Sequence, residues 1–263
     1  MMILHVLLSV FTGLGLGILF FLGLNLPEVL DREALVFYVP ALVLTSIGLI
    51  AGIIQKRYPP KPSKTLEASS ARIRYWISRD NTYLFLATFS GFVVAATKAY
   101  LGYHPVILGY LNSSLSLIAV LTMSLTYTRW PNVPRWNTPV LVILFPLAAV
   151  AGGGLLTAQL IPAVLLLAGL IFVQLTAWLW EDAKARRKAA IQHLYAASFG
   201  TPKVWERWAL RGVGLMLTCI LPLLGLWFVE IHPIQISAVI ISHLLGMILI
   251  RTLFLEDAAY SKR

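Results

Sequence analysis

Residues 76–126 read WISRDNTYLFLATFSGFVVAATKAYLGYHPVILGYLNSSLSLIAVLTMSLT. Two apolar runs flank a short turn at Gly102-Tyr103-His104-Pro105. Each run is about 20 residues long, the length at which an α-helix spans roughly 30 Å of hydrocarbon. The runs are continuous rather than alternating, which argues against a transmembrane barrel. Backbone in lipid must satisfy its own hydrogen bonds, so both runs are expected to be helices.

The same pattern continues outward in both directions. Eight spans are expected, at about Ile3–Leu24, Leu35–Ile54, Tyr83–Tyr100, Pro105–Thr126, Pro139–Gln159, Ile161–Trp180, Leu210–Val229 and Ile234–Leu255. The fifth and sixth are joined by almost nothing. The chain of 263 residues is 59% hydrophobic, with a mean hydropathy of +0.81, which no soluble domain of this size needs. The polar stretches are too short to hold a core of their own. The expectation is an all-α integral membrane protein: one polytopic domain over residues 1–263, with eight transmembrane helices in one bundle. The first segment lacks a basic leader and a small-residue cleavage site, so it reads as a retained span.

Charge tests the count. Eight spans place both termini and the loops after spans two, four and six on one side. That side carries all of the 21 Lys and Arg except Arg32 and Lys98. The opposite loop, LPEVLDRE (26–33), is short and acidic. The positive-inside rule then puts both termini in the cytoplasm, in the cytoplasmic (inner) membrane of a cell that has one. The net charge of +10 records topology and anionic lipid rather than nucleic acid. Lone Cys219, in an apolar run, reads as a small buried hydrophobe.

Seven tryptophans, among them Trp76, Trp136, Trp178 and Trp208, fall near the basic face. An aromatic belt explains them, and a stacking wall for a flat apolar ring is the sharper alternative. Gly13, Gly17 and Gly152-Gly153-Gly154 read as sites of close helix packing. After span six the Ala-, Lys- and Arg-rich run from Glu181 is expected to continue the helix out of the membrane. No nucleotide-binding, hydrolase or thiol-pair motif is present. Ionisable groups in or beside spans are His5, Lys98, Glu230, His243 and Arg251. Most stand near a span end, where they can snorkel. Only His243 is well inside. It has no second histidine at similar depth, so no haem or metal is expected, and a hydrogen-bonded packing role is.

Asp80 stands where WISRDN leads into span three. A carboxylate there reads first as a helix cap. It can also take a proton from a lipid-soluble donor at the water–lipid boundary. The second polar stretch, YTRWPNVPRWNTP (127–139), brings Arg135, Trp136 and Asn137 to the same boundary.

Together the two stretches resemble a known family. VPRWNTPVLVILFPLAAVAGGGLL (133–156) is similar to the VP-x-WNT-P segment of the membrane-anchor subunits of dimethyl sulfoxide reductase-type molybdoenzymes. RYWISRDNTYLFL (74–86) resembles that family's W-[LI]-SRE stretch, and GMILIRTLF (246–254), less cleanly, its GR-x-LF pattern. The family's carboxylate after Ser-Arg is usually Glu, and Asp80 stands here. Its HLG-x-P-x-R stretch aligns with Tyr58–Lys64, so Tyr58 replaces the His. The resemblance implies an anchor that binds menaquinol, or another quinol, as substrate. Electrons would pass to an iron–sulfur subunit and then to a molybdopterin catalytic subunit. Asp80 would accept a proton, and Tyr58, Trp76, Arg79, Trp136 and Asn137 would orient the headgroup. Lys64 and Arg135 would meet the iron–sulfur partner. Two other readings stand beside it: a structural anchor without quinone chemistry, and a small-solute transporter.

Overall fold

The computed structural model describes residues 2–28, 31–57, 67–128, 139–192, 201–227 and 233–260. Its helices are α1 (Met2–Gly23), α2 (Leu35–Arg57), α3 (Glu67–Leu101), α4 (Val106–Thr128), α5 (Pro139–Leu156), α6 (Leu160–Gln192), α7 (Thr201–Leu215), α8 (Leu221–Trp227) and α9 (Pro233–Tyr260). No strand occurs among the described residues. Among the described residues, seven stretches are long and apolar enough to cross a membrane, and α5 is a shorter apolar helix. The chain is a multi-pass all-α membrane protein.

Side-chain pairings give the directions. Tyr38 Oη donates to the Leu22 carbonyl, and Gly48 lies against Thr12, so α1 and α2 are antiparallel. Gly52 meets Asn81, Ser90 meets Asn112, and Asp80 meets Thr126, so α2, α3 and α4 alternate in turn. Gly13 lies against Ala149, and Gly154 against Phe21, so α5 runs parallel to α1. Phe145 packs on Phe254 while Gly152 packs on His243, so α9 opposes α5. Met2 and Tyr260 therefore stand at the same end of the bundle, as the even count requires.

α1 is the central helix. It carries no charged residue on any face, and Val6, Val10, Leu14, Leu16 and Leu19 are all buried. A helix apolar all round belongs in the interior. α2 is peripheral: Val36, Val39, Val43, Ile47, Ile50 and Ile54 line one exposed face at helical spacing. That stripe meets lipid. α4 turns its polar face inward, with Asn112, Ser113, Ser116, Thr122 and Ser124 buried. Asn112 Nδ2 donates to the Leu19 carbonyl at 3.0 Å and its Oδ1 accepts from Ser90 Oγ at 3.0 Å. Ser113 Oγ donates to the Phe20 carbonyl at 2.7 Å. With lipid outside, such bonds between helices hold the bundle in register.

α1 and α5 approach backbone to backbone where Gly17 faces Ala149 and Gly153. A methyl group at either Gly17 or Gly153 would collide with main chain, so close packing is the role of these glycines.

The fifth span ends earlier than the expected Gln159. α5 closes at Leu156 after 18 residues. Ala158 then takes φ 55°, its N–H bonds the Leu155 carbonyl, and the Gln159 N–H bonds the Gly154 carbonyl at 2.8 Å. This left-handed cap reverses the chain within three residues. α6 runs on to Gln192, so the basic helix does continue past the span.

The expected seventh span, Leu210–Val229, is interrupted, and its last residues lie outside those described. Between α7 and α8 the residues Met216–Ile220 form a π-helical turn, with the Leu221 N–H on the Met216 carbonyl. The register change shifts the carbonyl ladder. Side chains of α9 take up two of its carbonyls: Ser242 Oγ donates to Leu217 at 2.8 Å, and His243 Nδ1 stands 2.7 Å from Thr218 O. Gly246 lets α9 lie directly on Thr218. His243 is thus the packing histidine expected.

Candidate functional site

Asp80 is not a cap. α3 begins at Glu67 and is 35 residues long, about 50 Å, so Asp80 lies four turns inside it. The apolar run alone places a helix start near Tyr83, but the polar residues ahead of it extend the same helix toward the basic face. Its side chain is half-buried and points at α4, where Thr126 Oγ1 bonds its Oδ2. Thr126 Oγ1 also stands 3.1 Å from the Thr122 carbonyl.

A hydroxyl has one proton and can serve one of these acceptors at a time. With Asp80 ionised, Thr126 donates to the carboxylate. With Asp80 protonated, the carboxyl donates to Thr126, and Thr126 donates back to Thr122. Both protonation states are satisfied by the same heavy-atom geometry. The other oxygen, Oδ1, is buried without a hydrogen-bond partner, and so is Asn81 Nδ2 beside it. Asn81 Oδ1 fills the space left by Gly52 on α2. Three helices therefore converge on a carboxyl that has an acceptor and a neighbouring donor to spare.

Arg79 is exposed, with its guanidinium 5.8 Å from the Tyr83 ring centroid. It lies one residue from Asp80 on α3. Trp76 belongs to α3 one turn before Asp80, and its side chain is outside the described set. Tyr58, Lys64, Arg135, Trp136 and Asn137 also lie outside the described residues. Of the expected constellation, the fold thus positions Asp80 and Arg79. It adds Thr126, Asn81 and Gly52, which a linear reading missed. Thr122 and Thr126 at helical spacing near the end of an apolar run were the available signal.

Lys98 was expected to snorkel. Instead it is 1% exposed, beside Glu28 and His104 at the end opposite the basic face. His104 lies in the turn between α3 and α4. Burial, and then the Lys98 charge, lower its pKa from 6.5, against a hydrogen bond with the Gly23 backbone.

No group of three or more His, Cys, Asp or Glu that could hold a metal occurs among the described residues. No protein-family model and no curated protein matches the chain.

Proposed function

We propose that this chain is the membrane anchor of a dimethyl sulfoxide reductase-type oxidoreductase, with a quinol-oxidising site at the basic face around Asp80. The observation that carries the reading is the Asp80–Thr126 pair. Quinol oxidation releases two protons with two electrons, so its site needs a base near water that tolerates both protonation states. Asp80 receives the proton and Thr126 reverses its hydrogen bond to Thr122. Asn81 Nδ2 supplies a donor for a ring oxygen. Tyr58, Trp76, Arg79, Trp136 and Asn137 orient the headgroup on the resemblance alone. Lys64 and Arg135 meet an iron–sulfur subunit, which relays electrons to a molybdopterin subunit. The charge bias supports a cytoplasmic position for this face and both termini.

The test is gentle solubilisation of the tagged chain, identification of what co-purifies, and assay of iron and molybdenum. Cluster-bearing and molybdopterin subunits are expected, with quinol-dependent reduction of the clusters that Asp80→Asn abolishes while the complex still assembles. A metal-free chain that purifies alone and folded would overturn the proposal.

A further inference from the structure

The face opposite the basic one holds a polar cluster that the quinol reading does not use. There α1 ends at Gly23, and the turn between Leu101 of α3 and Val106 of α4 meets that end. A methyl group at Gly23 would collide with the Gly109 carbonyl, and one at Gly109 with the Gly23 carbonyl and the His104 ring. Groups that favour water are buried here. Lys98 is 1% exposed, with the exposed Glu28 in charge range. Asn25, at φ 62° just past α1, buries its Oδ1 without a hydrogen-bond partner. His104 bonds the Gly23 backbone, and its Nδ1 is buried without a partner.

That arrangement assigns the tautomer. With Nδ1 unpartnered, the bond to Gly23 runs through Nε2, which lies beside the Gly23 carbonyl. A carbonyl only accepts, so Nε2 carries the proton and Nδ1 the lone pair. The closed turn therefore fits the neutral ring. A second proton would sit on Nδ1, buried with no acceptor, and would set a cation beside the Lys98 charge. Hydration of the ring removes both costs.

The charge acting on His104 is that of Lys98, from α3, and Glu28 acts on Lys98 in turn. α1 presents the Gly23 carbonyl and α4 presents Gly109, and neither helix carries a charged side chain. Asp31, Arg32 and Glu33 follow on the short turn of helix that packs on α3, where Glu33 is exposed. Gly102, at φ 68°, gives the α3–α4 turn a hinge. Further into the bundle, Asn112 and Ser113 bind α4 to α1 whatever the turn does.

We propose that the α3–α4 turn is an acid-released latch: with His104 neutral it is fastened to the end of α1, and with His104 protonated it lifts off while the helices stay packed.

A nitroxide on Tyr103→Cys reads the turn, since Tyr103 is exposed and Cys219, the one natural cysteine, is buried. The full chain in nanodiscs is titrated from about pH 8 to about pH 4, which brackets a lowered histidine. The label should be immobile above pH 6.5 and gain a mobile component as pH falls. The ratio of mobile to immobile label should rise about tenfold per pH unit, the slope of one proton. His104→Gln, whose amide still donates to the Gly23 carbonyl but takes no proton, should stay immobile throughout. A spectrum that does not change with pH, or a transition that survives His104→Gln, would overturn the proposal. Should that variant be mobile at every pH, Lys98→Met decides. Removing the neighbouring charge should move the midpoint to lower pH, and an unmoved midpoint would sink the latch.

Discussion

Thr126 on α4 bonds the Asp80 carboxylate on α3, joining two helices by a single proton that either partner can hold. Removing the carboxylate and removing the hydroxyl should therefore differ. Asp80→Asn should abolish quinol-dependent turnover. Thr126→Val should lower it by about tenfold to a hundredfold, at or below the roughly 10²-fold lower end for a positioned acid–base group, because the proton loses its relay but not its acceptor. Stopped-flow reduction of the clusters by a quinol analogue separates the two. Equal turnover in Thr126→Val and the unsubstituted chain would remove Thr126 from the site.

His243 should be structural. Its Nδ1 takes the Thr218 carbonyl at the π-helical turn, and its ring is 1% exposed. His243→Ala leaves that carbonyl without its partner and opens a void, together about 2–4 kcal/mol. His243→Gln, which can still donate, should recover part of this. Thermal unfolding in detergent reads both.

Two glycines form a matched pair. Gly153→Ala drives a methyl group into the Gly17 main chain. It should destabilise by about 1–3 kcal/mol as α1 and α5 are forced apart. Gly212→Ala meets nothing within 4 Å and should stabilise by about 0.5–1 kcal/mol. Melting curves of the two variants should move in opposite directions.

His104 makes stability depend on pH. Its folded pKa is lowered from 6.5, first by burial and then by the Lys98 charge. The fold favours the neutral ring, so the stability it contributes is complete above the unfolded value of 6.5 and is lost as pH falls through the folded value. His104→Gln should flatten the decline below pH 6.5 and leave the alkaline side alone. Glu28 and Lys98 remain in both proteins, so the difference between the two profiles isolates the imidazole.

The element order was legible because each span is defined by its own composition. The Gly13/Gly17 and Gly153 signals were likewise correct, since only small residues let helix backbones touch. The errors fall where a decision needs two distant segments. Asp80 reads as a cap when the helix is assumed to start at the apolar boundary. Helical propensity does not stop there, and α3 begins at Glu67, 16 residues ahead of the Tyr83 boundary. Lys98 reads as a snorkelling residue because a linear sequence cannot show that the packed bundle buries it, within charge range of Glu28 and His104.

Hydropathy and charge, read along the chain, determine that it crosses a membrane many times, with both ends on one face. They do so because transfer into lipid is a property of each segment alone. Which carboxyl meets which hydroxyl, which histidine takes the carbonyl of a distorted turn, and which carboxylate stands in charge range of a buried lysine are decided only by the packed bundle. Those pairings join residues 25 to 46 positions apart within one hairpin, and more between hairpins, so they exist only once the helices are side by side.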